Sequence, residues 1–176
     1  MNNDGERGIA LVFVMTATAL LTALVGSLTL VVITDTAVAT NHREAVAALY
    51  AAEAAVEFAL AELAAADDWS DLLDGGRSAF INGMPDGPRV VGADAILHGS
   101  GRLRDLVPGS GADPSLSVAI WIADRSAEPK DEGASVERLS VVGEAFGARG
   151  TRRAVEAIVE KADTSAVRLL AWRELP

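Results

Sequence analysis

The sequence predicts an α+β fold in which a long N-terminal hydrophobic helix packs on a small antiparallel sheet. No charged residue occurs from Ile9 to Thr34, and Ala, Leu and Val, most of which favour a helix, remain dominant as far as Ala66. At ~1.5 Å per residue the uncharged stretch reaches ~39 Å, more than the ~30 Å hydrocarbon core of a bilayer. After Pro114 the apolar residues alternate with a period of two, as in strands. A helix followed by a run of strands indicates an α+β domain.

The composition argues against several classes of function. The formal net charge of −10 disfavours a nucleic-acid-binding surface, which needs clustered Lys and Arg. Only Arg7 and Arg43 are basic before residue 67, so no polybasic patch for lipid headgroups flanks the apolar stretch. Because the chain has no Cys, it can form neither a disulfide nor a thiolate metal site.

Between Ala45 and Leu63 the predicted helix becomes amphipathic. Its apolar positions follow the 3–4 spacing of a packing seam, at Val46, Leu49, Val56, Leu60 and Leu63. Glu53 occupies the position left over in this seam, where a carboxylate needs a partner or costs stability. Two interpretations stay open: Glu53 lies hydrated at the edge of a shallow interface, or it pairs with a donor on the globular domain or on a neighbouring chain.

The remainder of the chain predicts loops and then strands. The helix ends near Asp67–Asp71, and the Gly- and Pro-rich stretch 75–92 predicts a loop with one short strand at 79–82. Longer strands are expected at 89–97, 116–123, 138–146, 151–161 and 167–174. Between them we expect a Gly-rich stretch at 99–114, a charged loop at 124–133 and a tight turn at 147–150. The apolar face of this sheet has the 46–63 stripe available to pack against.

No motif indicates catalysis or a cofactor. We expect solvated or capping roles for His42 and His98, the only histidines, because their spacing suggests neither a metal site nor a triad. The glycine pairs at 99–101 and 109–111 lack the Lys-Ser/Thr of a phosphate loop. The acidic stretch 124–132 is expected to be a solvated loop, with Ca²⁺ binding as the less favoured alternative, since its spacing is not that of an EF-hand. Trp69, Trp121 and Trp172 are expected in the core or between helix and sheet.

Four features of the sequence resemble a known family. They are Arg7-Gly8-Ile9-Ala10-Leu11; the apolar segment that follows at once; Asn41-His42-Arg43-Glu44 with Ala48-Leu49-Tyr50-Ala51-Ala52-Glu53-Ala54; and Val142-Gly143-Glu144 with 147–156, followed by Trp172-Arg173-Glu174 at the end. Together they resemble type IV pilins, most closely PilX-type minor pilins. In the order given, the four features resemble the family's processing site, its hydrophobic segment, its N-R stretch with the AAEA motif, and its late hairpin and terminus. The N-terminal 60 residues carry most of this resemblance.

The resemblance implies a type IV pilin-like fold and a defined maturation. Residues 1–8 would be a prepilin leader that a prepilin peptidase removes between Gly8 and Ile9, leaving a free N-terminal amine as the expected site of methylation. Residues 9–34 would be the transmembrane and filament-core helix, 35–66 its periplasmic continuation and 67–176 the globular domain. The subunit would lie in the inner membrane with its C-terminal domain in the periplasm. It would then pass through the inner-membrane assembly platform into a pilus of major and minor pilins.

One departure from the family affects the expected role. Major pilins carry a Glu five residues into the mature chain, where it neutralises the amine of the adjacent subunit; here that position is Phe13. A buried unpaired charge is costly, so this chain suits a tip subunit, or one that primes assembly, better than a repeating one. Phe13, Glu53 and Glu57 are the expected subunit contacts.

Two alternatives remain at this point. The K-type tip pseudopilin of type II secretion also lacks that Glu, but it is usually larger than this chain. A signal-anchored periplasmic domain that binds a ligand or catalyses a reaction would keep Met1–Gly8 and would contain a pocket lined by convergent polar groups.

Overall fold

The structure is a computed structural model that describes residues 4–66, 68–74, 77–78, 80, 91–92, 94–109, 111–125, 137–161 and 167–176. The helices are α1 (Asp4–Ala65), α2 (Ser70–Leu73) and α3 (Leu103–Leu106). The strands are β1 (Ile96–Arg102), β2 (Ser117–Asp124), β3 (Glu137–Phe146), β4 (Arg152–Lys161) and β5 (Val167–Leu175), and a 3₁₀ turn (Ala148–Gly150) joins β3 to β4. The chain divides into two compact units, Met1–Arg43 and Glu44–Pro176, which are described separately.

Within the first unit, α1 presents apolar side chains to its surroundings on all sides. The large apolar residues from Ile9 to Val38 are between 55% and 77% exposed. Each Thr hydroxyl from Thr16 to Thr40 donates a hydrogen bond to the carbonyl four residues earlier, and Ser27 donates to the carbonyl of Leu24. The helix thereby satisfies its own hydroxyl groups, as an apolar environment requires. By length and composition, α1 is apolar enough to cross a membrane, with a mean hydropathy of 2.3 over 18 residues.

In the second unit, the C-terminal part of α1 packs on the sheet through small residues. The fully buried positions are Ala48, Ala51, Ala52, Ala55, Val56, Ala59 and Leu63. The predicted packing seam is only partly correct. Val56 and Leu63 are fully buried, whereas Val46, Leu49 and Leu60 are partly buried, with Leu49 and Leu60 packed against the core. The approach is close enough that a Cβ on Gly143 of β3 would lie 2.4 Å from the Ala52 carbonyl oxygen. Alanine takes these positions because larger side chains would hold the helix away from the sheet.

The sheet is an antiparallel meander with the strand order β1-β2-β3-β4-β5. One face contributes alternate residues to the core beneath α1, among them Ile120, Val141 and Val155. On the opposite face, Ala119, Trp121, Val142 and Ala154 form a second, smaller cluster. Both faces of β2 are thus buried, whereas its sequence pattern had predicted a half-buried strand.

The predicted α+β class is confirmed, and so are the helix and the four strands after Pro114. The strand predicted at 89–97 is wrong in position, because β1 begins at Ile96 and continues to Arg102. The Gly-rich stretch 99–114 consequently contains the end of β1 and the short helix α3, neither of which was expected. The strand predicted at 79–82 and most of the loop at 124–133 lie outside the described residues.

The three tryptophans occupy different environments. Trp69 is fully buried in the core, where its Nε1 donates a 3.0 Å hydrogen bond to the Leu63 carbonyl, as expected of a packing residue. Trp121 is buried on the face of the sheet that carries the smaller cluster, away from the core beneath α1. Trp172 on β5 is 39% exposed, so its predicted burial is wrong.

Candidate functional site

The expected processing site lies at the beginning of α1. The backbone at Gly8 and Ile9 is helical, Ile9 is 69% exposed, and Phe13, one turn later, is 77% exposed. Phe13 therefore exposes an aromatic ring at the position where major pilins carry a carboxylate. An uncharged side chain there cannot neutralise an amine and can only contribute apolar contact area.

The two expected contact carboxylates lie one turn apart in the second unit. Glu53 is half-buried and Glu57 is exposed. Within the described part of the chain, neither forms a hydrogen bond or an ion pair. For Glu53 this argues against a donor within the described part of the globular domain, while a hydrated carboxylate and a donor on a neighbouring chain both stay open.

A third carboxylate on α1, which sequence reasoning did not single out, forms a polar cluster with two buried side chains. Oε1 of Glu62 accepts a 2.8 Å hydrogen bond from the Ser78 hydroxyl, and Oε2 lies 2.8 Å from Nε2 of His98 on β1. His98 is only 3% exposed, so the expectation of a solvated or capping histidine is wrong. The sequence does contain one indication that Glu62 faces the sheet, because it continues the 3–4 spacing of the buried alanines Ala55 and Ala59.

This cluster has the residue types of a hydrolytic triad without its geometry. The Ser78 hydroxyl donates to Glu62 and also accepts from the Phe80 amide, so it is not oriented toward the imidazole as a nucleophile would be. Among the described residues, Nδ1 of His98 has no partner, so the contact of the ring with the cluster is made through Nε2 alone. The arrangement ties α1 to β1 and to the segment at residue 78.

The face of the sheet opposite α1 carries three buried glutamates, each held by arginine. Glu144 accepts from Nε1 of Trp121 at 3.1 Å and from the Arg152 guanidinium. Glu160 accepts from Nε of Arg138 at 2.9 Å and from Arg168 at 2.6 Å. The hydrogen bond from Arg138 is the main reason that the pKa of Glu160 lies below its ordinary value; burial opposes this shift, and the charges of both arginines support it.

Glu156 occupies the centre of this face. It is 3% exposed, accepts a 2.6 Å hydrogen bond from the Ser140 hydroxyl and is paired with Arg173, while Arg125 lies 3.5 Å away. Burial raises the pKa of Glu156, but the hydrogen bonds from Ser140 and Arg173 and the charges of both arginines outweigh burial, so the pKa is lowered. This carboxylate is held in its charged form and is poorly suited to proton transfer.

A cavity of about 200 Å³ opens beside Glu156. Its lining combines the guanidinium groups of Arg125 and Arg173 with apolar surface from Trp121 and Val142. In the part of the chain that the structure describes, no three His, Cys, Asp or Glu side chains are grouped as a metal site. The acidic stretch considered for Ca²⁺ lies largely outside the described residues, so that alternative stays a prediction.

One further ion pair joins the helix to the β3–β4 turn. Arg149, in the left-handed conformation with φ 56°, pairs with Glu44 of α1. The hydrogen bond to Glu44 raises the pKa of Arg149 above its ordinary value, with the carboxylate charge acting in the same direction. Both residues belong to stretches on which the family resemblance rests.

Compared with models of protein families, with curated proteins and with solved structures, the chain matches none of them.

Proposed function

We propose that this chain is a minor subunit of a type IV pilus or a related filament, acting at the tip or in the priming of assembly. The observation that carries the proposal is the composition of α1. Its first part exposes large apolar side chains on all sides, and its last part packs on an antiparallel sheet through alanine. Such a helix requires an apolar environment for its first part, which a bilayer before assembly and a bundle of helices afterwards both supply.

The proposed maturation removes residues 1–8 by cleavage between Gly8 and Ile9, through a prepilin peptidase. The exposed Phe13 supports a subunit that does not neutralise a neighbouring amine, and the free oxygens of Glu53 and Glu57 support polar contacts with other pilins. The chain would cross the inner membrane once, with residues 67–176 in the periplasm before export. It would have no enzymatic activity and no cofactor.

The test is co-expression with a prepilin peptidase, followed by intact mass and N-terminal sequencing. The expected product begins at Ile9, and Gly8→Val blocks its formation because the branched side chain excludes the cleavage site from the peptidase. Gly26→Val is the matched control, since it adds the same branch within the apolar helix, where a Cβ meets nothing within 4 Å. A product that still begins at Met1 beside an active peptidase would refute the proposal.

A signal-anchored domain that binds a small ligand is the second candidate, and the cavity beside Glu156 is the observation that favours it. Its lining combines two guanidinium groups with the carboxylates of Asp94, Asp124 and Glu156 beside apolar surface, which suits a small polar ligand. This candidate predicts an uncut N terminus. A K-type pseudopilin would be cut in the same way as a pilin, and capture of secretion-system proteins in place of pilus proteins would identify it.

A further inference from the structure

The last strand of the sheet exposes a group of large apolar side chains. Leu169, Leu170 and Trp172 of β5 are 51%, 41% and 39% exposed. Leu169 pairs across the sheet with Val159, and Trp172 pairs with Ala157, both of which belong to the core beneath α1. The face of the sheet that α1 covers therefore continues onto β5 as exposed apolar surface. Contiguous patches of this kind mark interaction sites on soluble domains.

The two edges of the sheet differ in how they are covered. At the β1 edge, the Ser78 amide donates to the His98 carbonyl and the Ser100 amide donates to the Phe80 carbonyl, each at 2.9 Å. At the β5 edge, no backbone hydrogen bond from any other described segment is present. Natural sheets usually protect such an edge with charge, proline or a covering segment, since it can accept another strand.

Among the described residues, arginines outnumber carboxylates in the ion pairs on the opposite face of the sheet, in a chain whose net charge is −10. These ion pairs combine five arginines with three glutamates: Arg125, Arg138, Arg152, Arg168 and Arg173 with Glu144, Glu156 and Glu160. Arg168 and Arg173 both lie on β5 and are 67% and 61% exposed. They remain accessible although each already contacts a glutamate.

We propose that β5 is a docking edge for an extended segment of a partner protein, which adds to the sheet as a further strand. Apolar side chains of that segment would contact Leu169 and Trp172, and acidic side chains on its other face would lie opposite Arg168 and Arg173. Backbone hydrogen bonds would provide affinity, and this alternation of apolar and acidic residues would provide specificity. A second copy of β5 fits this edge less well, because it brings its own two arginines.

The probe is a capped nine-residue peptide in which valine and glutamate alternate, added to the full chain in detergent micelles. Hydrogen exchange with mass spectrometry reports protection of β5, and anisotropy of the labelled peptide reports affinity. The control peptide replaces every glutamate with lysine. It should bind about tenfold more weakly, because each favourable cross-strand charge pair becomes a repulsion. Because the net charge of the chain is negative, non-specific attraction would favour the lysine peptide. Tighter binding of the glutamate peptide would therefore report the local positive charge beside β5.

The double variant Leu169→Thr/Trp172→Thr removes the apolar contacts while keeping residues that favour strands, and should abolish protection by the peptide. Val107→Thr is the matched control, because Val107 is 39% exposed, like Trp172, but lies on a different part of the second unit. The single variant Leu169→Thr, at the most exposed of the three positions, reports weakened binding if the double variant unfolds. Three results would overturn the proposal: no protection of β5 at about 1 mM peptide, equal binding of both peptides, or protection of β5 that rises with protein concentration alone.

Discussion

Gly143→Ala should disrupt the contact between α1 and the sheet more than any other single methyl group added at a described glycine. A Cβ at this position would lie 2.4 Å from the Ala52 carbonyl oxygen, 2.7 Å from Cγ2 of Val56 and 3.1 Å from the Val56 amide nitrogen. Two of these atoms belong to the helix backbone, so no side-chain rotation can make room. The helix or the strand has to move.

The expected cost follows from this geometry. Overpacking a core by one methyl group costs about 1–3 kcal/mol, and a backbone obstacle places this case near the upper end. With an unfolding entropy of about 2.1 cal/mol/K for each of about 130 residues, a loss near 3 kcal/mol lowers the Tm of the second unit by about 10 °C. Thermal unfolding of the full chain in micelles, followed by near-ultraviolet circular dichroism of the buried Trp69 and Trp121, measures this shift.

Gly92→Ala is the matched control, because a Cβ at Gly92 meets nothing within 4 Å. It should leave the Tm unchanged. In a Val56→Ala background the clash with Cγ2 disappears while the clash with the Ala52 carbonyl remains, so Gly143→Ala should cost about 1 kcal/mol less there. A Gly143→Ala protein that melts within about 2 °C of the parent would refute the close approach of helix and sheet.

Three further changes test other parts of the structure. The pKa of Glu156 is lowered in the folded chain, so the unfolded chain takes up a proton first as the pH falls below 4.5, and stability is lost with falling pH. In urea titrations, the difference in stability between the parent and Glu156→Gln should therefore narrow between pH 5 and pH 3. Glu62→Ala should destabilise the chain by about 1–3 kcal/mol in the same assay, because the buried Ser78 and His98 lose their acceptor. Stability equal to that of the parent would contradict this role. Glu53→Ala should lower incorporation into filaments without changing the Tm, and an unchanged subunit content together with a lowered Tm would show that Glu53 acts within the fold.

The strands after Pro114 could be predicted to within about two residues because their alternation and turns are local properties of the sequence. The first strand could not. Gly99 and Gly101 disfavour a strand by propensity, yet both lie in β1. The fold supplies the reason at Gly99, where a Cβ would lie 3.1 Å from the Phe80 carbonyl oxygen of the segment that pairs with this edge. A local sequence pattern cannot predict a close approach between segments that are distant in the chain.

The ion pairs and hydrogen bonds between distant polar side chains were not predictable from local sequence either. Glu62 and His98 are 36 residues apart, and Glu156 and Arg125 are 31 residues apart, so only the register of the sheet and helix brings them together. Of these four residues, sequence reasoning considered only His98, and it expected a solvated or capping role because a histidine in a glycine-rich stretch carries no sign of burial. The spacing of Glu62 behind the buried alanines was the one accessible indication.

The alanines explain why hydrophobicity alone identified only part of the packing seam on α1. Leu and Val rank above Ala in burial energy, so a stripe of Leu49 and Leu60 appears the better packing face. A sheet that presents Gly143 admits only a small residue on the facing helix, and the contact is then made by backbone and methyl groups at short range. The earlier part of the same helix has no such restriction and carries Leu, Val, Ile and Phe on every side. Side-chain size therefore differs between the two parts of α1. Small residues in the later part fit one specific surface, the sheet, whereas large residues in the earlier part can be covered by any apolar environment.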